Sequence, residues 1–246
     1  MKRMFLLLTV LGISAGLVWS QEKKEDRNFR IPLIGEKAPS FTAESTNGLL
    51  NFPADYGRNW KILFSHPQDF TPVCSSELLE LANLQKEFDK LNVKIAVVST
   101  DPLDSHIQWK KALEDIEYKG RLPQKIKFPL IDDENLAISK EYGMIMPANN
   151  STRAVRGVFI IDPDNVIQSI YFYPMSVGRS SEELLRTVAA LQATAGNKHM
   201  TPSDWIAGND LLITTPPVTD QRPENVPDGF YRLAWFMWFE KSKTPK

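Results

Sequence analysis

One cysteine, Cys74, is available to this 246-residue chain, and it lies within the stretch 61–84, KILFSHPQDFTPVCSSELLELANL. A cysteine does chemistry as its thiolate, so its surroundings decide whether it is a nucleophile or a small buried hydrophobe. Lys61 to His66 has the length and apolar character of a buried strand. Pro67 to Phe70 reads as a turn, because Pro ends a strand and Asp favours a turn. Thr71 is placed as a helix N-cap and Pro72 as the first helical residue. Leu78, Leu81, Leu84, Phe88 and Leu91 then recur at helical spacing. Cys74 thus falls in the first turn of a helix that starts where a strand has just ended. Unpaired N–H groups and the positive end of the helix dipole favour a thiolate there.

The elements that must position this turn alternate along the chain. Phe41 to Thr46 and Leu49 to Phe52 are short strands around Asn47-Gly48, a hairpin signal. Val93 to Ser99 is a continuous β-branched run, as expected of a central strand. Asp101 to Tyr118 reads as a helix with Ile107, Ala112, Leu113 and Ile116 on one side. Phe128 to Ile131 is a strand, and Glu134 to Tyr142 is a helix closed by Gly143. Val155 to Ile161 and Val166 to Phe172 form a strand pair around Asp162-Pro163-Asp164-Asn165. Ser180 to Thr194 is a helix capped by Ser, with Glu182 and Glu183 in its first turn. Strands alternating with helices and a late hairpin predict an α/β fold with a mixed central sheet flanked by helices.

Pro67, Thr71 and Cys74 form a P-x-x-x-T-x-x-C pattern. It resembles the active-site signature of the peroxiredoxins, and FSHPQDFTPVCSSEL resembles the one-Cys, peroxiredoxin-six branch of that family. The resemblance runs from about Ile31 to the C-terminus. It implies a thioredoxin-like fold and a thiol peroxidase. In such an enzyme Cys74 attacks a hydroperoxide and becomes a sulfenic acid. Thr71 would face the peroxide, and Pro67 would shield the thiolate. The family arginine stands just before a V-F-I strand, which selects Arg156 over Arg153 in STRAVRGVFIID. Arg179, in YPMSVGRS, matches a second, supporting arginine. Glu77, one turn after Cys74, either orients a guanidinium or is an exposed helix carboxylate. His66 either assists the sulfur or is a structural histidine.

The chain also departs from its relatives. The aromatic tail carries no resolving cysteine, so an external thiol or a thioredoxin- or glutaredoxin-like partner must reduce the sulfenic acid. A phospholipase element found in some relatives is not supported. Gly57-Arg58-Asn59-Trp60-Lys61 lacks its serine, and Pro53 stands where its histidine would be.

Composition narrows the remaining choices. One cysteine excludes an intramolecular disulfide, a C-x-x-C redox pair and a cysteine zinc cluster. His106 and His199 show no spacing with His66 or a carboxylate that suggests a metal site, so neither metal nor cofactor is expected. The formal net charge is -1, which argues against nucleic acid as a partner.

Residues 1–20 read as a secretory signal peptide. Lys2 and Arg3 form its basic start, Phe5 to Val18 its apolar run, and Gln21 follows the cleavage site. An uncleaved membrane anchor is the alternative. Export to the periplasm or the exterior is the expectation, and losing Lys2 and Arg3 makes the mature chain more acidic. Residues 21–30 form a charged leader, 31–195 the peroxidase domain and 196–246 a C-terminal extension. That extension is dense in proline and carries Phe230-Tyr231-Arg232-Leu233-Ala234-Trp235-Phe236-Met237-Trp238-Phe239. Such a patch must close over the protein's own core or against a second subunit, and relatives of this kind dimerise through it. Two competing classes are a thioredoxin-fold holdase or scaffold with Cys74 as a redox switch, and a cysteine acyl-transfer enzyme.

Overall fold

Three apolar runs, each too short for a core helix, form the centre of the molecule as adjacent strands. The computed structural model describes residues 30–145, 152–196, 198–215, 217 and 226–242. The signal segment 1–20 and all but the last residue of the leader lie outside the described residues. Strands β3 (Trp60–Ser65), β4 (Val93–Ser99) and β5 (Leu130–Asp132) pair in parallel. Strand β6 (Arg156–Ile161) pairs antiparallel with β3, and β7 (Ile167–Tyr173) pairs antiparallel with β6, in the order β5-β4-β3-β6-β7.

Both faces of this sheet are covered, which is why its strands read as unbroken hydrophobic runs rather than alternations. Ile62, Phe64, Ile95, Val97, Val158 and Ile160 point to one side. There they meet α1 (Pro72–Asn83), α2 (Gln85–Lys90), α3 (Leu103–Leu113) and α5 (Ser181–Thr194) through Leu78, Leu81, Phe88, Trp109, Leu184 and Val188. Leu63, Ala96, Val98, Phe159 and Ile161 point to the other. They pack on the hairpin β1 (Phe41–Ala43) and β2 (Leu50–Phe52), on Ile138 of α4 (Ala137–Glu141) and on Tyr142 just after it.

Several boundaries differ from the sequence reading for identifiable reasons. The helix expected to run through Leu91 breaks at Leu84 (φ -94°, ψ 6°). There the side-chain amide of Gln85 donates to the Ala82 carbonyl, 3.0 Å away, and to the Lys125 carbonyl. A side chain inserted in this way interrupts the backbone ladder. The helix expected over Asp101–Tyr118 is shorter. Pro102 holds the N-cap in an extended conformation, and the chain leaves the helix at Glu114. The Glu114 carboxylate then accepts the Ile126 N–H and pairs with Lys125. Asn47-Gly48 sits in a wider connection than a two-residue turn, since the β1–β2 pairing ends at Ala43 and Leu50. The α5 start is as expected, with Ser180 Oγ accepting the Glu183 N–H.

The C-terminal stretch forms a separate four-stranded sheet. Strands β8 (His199–Met200), β9 (Leu211–Ile213), β10 (Phe230–Ala234) and β11 (Met237–Glu240) lie in the order β10-β11-β9-β8. Trp238 and Phe239 are buried, and Tyr231 stacks on Phe239. Leu233, Trp235 and Phe236, at and beside the β10–β11 turn, are exposed.

Gly143 is the position where the backbone leaves least room. Its φ is +62°, and an added Cβ would lie 2.6 Å from Ile31 Cγ1 and 3.0 Å from Ile31 Cα. Gly120 shares the left-handed backbone (φ +70°) but faces open space. Gly143→Ala is therefore expected to cost about 1–3 kcal/mol more than Gly120→Ala, by urea denaturation monitored with tryptophan fluorescence.

Candidate active site

The β3 backbone delivers His66 and Pro67 to the carboxyl edge of the sheet, and the chain turns there into α1. Pro72 occupies the first helical position after Thr71, so the strand-turn-helix reading holds. Thr71 takes the N-cap backbone position (φ -109°, ψ 147°), but its side chain does not cap the helix. This corrects the expected capping bond: Thr71 Oγ1 instead donates to the Gln68 carbonyl at 2.9 Å. The tight loop brings that carbonyl closer to the hydroxyl than the helix N–H groups. The oxygen keeps free lone pairs and so remains an acceptor. Cys74 lies in the first turn of α1, fully enclosed.

Arg156 opens β6, next to β3 in the sheet, so its side chain crosses to the start of α1. Its Nη1 lies 3.3 Å from Cys74 Sγ and 2.7 Å from Glu77 Oε2, and its Nε donates to the Met175 carbonyl at 2.8 Å. Arg179 comes from the segment between β7 and α5. Its Nε and Nη2 donate to the two Glu77 oxygens at 2.8 Å each, and its backbone N–H donates to Glu77 Oε1. Its Nη1 bonds the Gly157 carbonyl, and its guanidinium lies 3.4 Å from the Phe64 ring centroid. Glu77 is therefore no surface carboxylate: it is buried and bridges both guanidiniums. Arg153, the rejected alternative, is exposed and bonds the Gln68 side chain.

The arrangement sets the charges. Burial alone would raise the Glu77 carboxyl, but the Arg179 hydrogen bonds and charge, with the charge of Arg156, hold it below the usual carboxylate range. Two buried cations thus face one buried anion, and the guanidinium charge left over is directed at sulfur.

Residues 34–170 match the family described as AhpC/TSA. A peroxiredoxin of Methanosarcina mazei is 46% identical over 215 residues, covering 86% of this chain and 98% of that protein. The peroxiredoxin-6 of Bos taurus is 37% identical, covering 81% of this chain and 90% of that protein. The solved structure of the yeast mitochondrial 1-Cys peroxiredoxin superposes with a TM-score of 0.74 at 35% identity, over 86% of this chain and all of the other. The chain belongs to the AhpC/TSA family. It is a peroxiredoxin with a thioredoxin-like fold, a thiol-dependent peroxidase that carries a single cysteine.

Within this peroxiredoxin, Pro67 is buried beside the sulfur-bearing turn. His66 Nε2 lies 2.9 Å from Asp69 Oδ1, and its Nδ1 is buried without a partner. Burial pushes the His66 imidazole down, and the Asp69 hydrogen bond only partly offsets this. Sequence reasoning missed Asp69 and His106. Asp69 read only as a turn former, yet it accepts from His66, Ser105 and His106. The spacing of 37 residues between Asp69 and His106 carries no signal, because the contact is made where the segments following the parallel neighbours β3 and β4 meet.

Removing the Glu77 charge leaves two guanidiniums buried together, so Glu77→Gln is expected to lose about 3–5 kcal/mol at pH 7. The sign with pH follows from the lowered carboxyl. Its stabilisation is complete above the unfolded glutamate value of about 4.3 and is lost as pH falls through the lower folded value. Urea titrations from pH 7 to pH 3 are expected to show a steeper acid loss in the wild-type protein than in Glu77→Gln.

Proposed function

We propose that Cys74 reduces hydrogen peroxide and organic hydroperoxides by in-line attack of its thiolate, with Arg156 as the group that holds both sulfur and peroxide. The observation that carries this assignment is the Arg156 Nη1 contact to Sγ at 3.3 Å, made by a guanidinium already fixed by Glu77 and the Met175 carbonyl. A planar guanidinium offers several donors at fixed angles, so it can hold sulfur and a peroxide oxygen together. The Thr71 hydroxyl spends its hydrogen on Gln68 and can accept the O–H of the incoming peroxide. Pro67 excludes water, and Arg179 and Glu77 keep Arg156 in place. His66 supports the turn from below. Cys74 exposes no surface, so substrate reaches its sulfur when the residues enclosing it move.

The attack forms an S–O bond to the terminal peroxide oxygen and breaks the O–O bond. That oxygen keeps its hydrogen, giving Cys74–SOH. The departing alkoxide or hydroxide takes one proton from solvent and leaves as alcohol or water. Charge spreads over both oxygens as the bond breaks, where preorganised donors matter most. A first external thiol then forms a mixed disulfide with Cys74, releasing water. A second thiol exchanges with it and restores the thiolate. The yeast 1-Cys structure is described by a resolving mechanism through glutathione and thioredoxin systems, and we assign a reductant of that class here.

The same reading covers assembly and location. Strand β7 is a seven-residue edge of the central sheet, and Leu233, Trp235 and Phe236 stand in solvent. Both features suit a homodimer, with 196–246 as the dimerisation extension of the 31–195 peroxidase domain. Residues 1–20 suit export to the periplasm or the exterior. Light scattering at micromolar concentration is expected to give twice the chain mass, and a monomer would count against the extension's role.

Stopped-flow mixing with hydrogen peroxide is expected to show a fast first turnover, stoichiometric with protein and absent in Cys74→Ser. Arg156→Gln is expected to lower the second-order rate constant by about 10²–10³. Oxidation of the wild-type protein at the rate of an ordinary free thiol would support the redox-switch alternative instead.

A further inference from the structure

Below the sulfur-bearing turn lies a second buried polar cluster, which the peroxide chemistry above does not use. His66, Asp69 and His106 are all enclosed. His106 Nε2 lies 3.1 Å from the Ile131 carbonyl, and His106 Nδ1 lies 2.8 Å from Asp69 Oδ2. A carbonyl oxygen can only accept a hydrogen bond, and an ionised carboxylate likewise. Both ring nitrogens of His106 therefore face acceptors, and each must carry a hydrogen. His66 differs: its Nε2 donates to Asp69 Oδ1, and its Nδ1 has no partner to hold a hydrogen.

We propose that His106 is a positioning residue for the peroxidase reaction: as an imidazolium paired with Asp69, it locks the loop 67–70 in the shape that presents Thr71 and the start of α1. This rests on the reading of Cys74 as the peroxidatic residue. Asp69 is the knot of the lock. Its carboxylate accepts from His66, His106 and the Ser105 hydroxyl, and its backbone N–H donates to Asp101 Oδ2 at 2.7 Å. Asp101 is tied in turn to Ser99 at the end of β4. The hydrogen bonds and charges of the two histidines hold the Asp69 carboxyl far below the usual range, although burial opposes them. The groups facing His106 are thus Asp69, Ser105, the Ile131 carbonyl and, at 6.1 Å between ring centroids, His66.

The loop needs such a lock. Phe70 has φ +53°, a left-handed conformation that a bulky residue holds only when its neighbours over-determine it. Asp69 precedes it and Thr71 follows it. If Asp69 is released, Phe70 can relax to an ordinary conformation, which displaces both the Gln68 carbonyl and the Thr71 hydroxyl bonded to it.

Two measurements test this. Nitrogen-15 NMR of the histidine rings in the full wild-type chain at pH 8 is expected to show hydrogen on both nitrogens of His106 and one bare nitrogen on His66. His106→Gln assigns the signals. A bare nitrogen on His106 would overturn the proposal without any variant having to fold.

Stopped-flow oxidation of Cys74 in His106→Gln and in Asp69→Asn is expected to slow by about tenfold to a hundredfold at full amplitude. The rate at which dithiothreitol reduces the pre-formed sulfenic acid is expected to stay unchanged. A merely structural role would lower the amplitude, through the unfolded fraction, and leave the oxidation rate constant alone; that result overturns the proposal. Ser105→Ala removes one donor to Asp69 and is the milder variant, expected to slow oxidation in the same sense. If the wild-type protein itself lacked fast peroxide oxidation, the assignment of Cys74 would fail while the ring-nitrogen result stood on its own.

Discussion

The buried carboxylate of Glu77 is the constraint on which the site depends. An isolated guanidinium cannot be kept inside a protein without a partner, because removing its charge from water is costly. Glu77 supplies that partner twice, to Arg156 and Arg179. It stands three residues, about one helical turn, after Cys74 on α1, so the anion that recruits both cations is fixed in register with the sulfur. The two guanidiniums arrive from β6 and from the segment before α5. Neither could be aimed without the carboxylate between them. One excess positive charge remains in the pocket, and Cys74 is the neighbour that Arg156 reaches.

The surrounding sheet makes this arrangement rigid. β3 is central, and both its neighbours contribute to the site: β6 carries Arg156, and β4 ends at Ser99, which anchors Asp101. Cores packed on both faces tolerate little displacement. The strand that delivers the catalytic turn therefore cannot slide relative to the strand that delivers the arginine. Arg179 adds a further restraint by lying over the Phe64 ring of β3 itself, where a cation is held by the ring face. Glu77 with the two arginines and Asp69 with the two histidines thus gather groups from several elements around the start of α1.

Much of this was legible in the chain. The β3–turn–α1 unit followed from composition, from Pro72 at the first helical position and from the leucine spacing, because these are local preferences with local causes. The apolar runs of β3 and β4 announced a buried and a central strand. Arg156, over Arg153, and Arg179 were selected by resemblance to a family pattern, and the structure sets Arg156 against the sulfur. The local rules misled where a tertiary contact outbid them. Gln85 broke the long helix because its amide found the Ala82 and Lys125 carbonyls. The Thr71 hydroxyl turned to Gln68 instead of capping.

By itself, the sequence determined the alternation of strand and helix, the lone nucleophile and its place at a helix start, since each depends on residues within a few positions of one another. Only the tertiary structure decided that Glu77 is a buried bridge rather than a surface carboxylate, and that Asp69 gathers His66, Ser105 and His106. Those roles are set by groups brought from remote parts of the chain into a space without water. There the cost of an unpaired charge, and not any local preference, selects the partners.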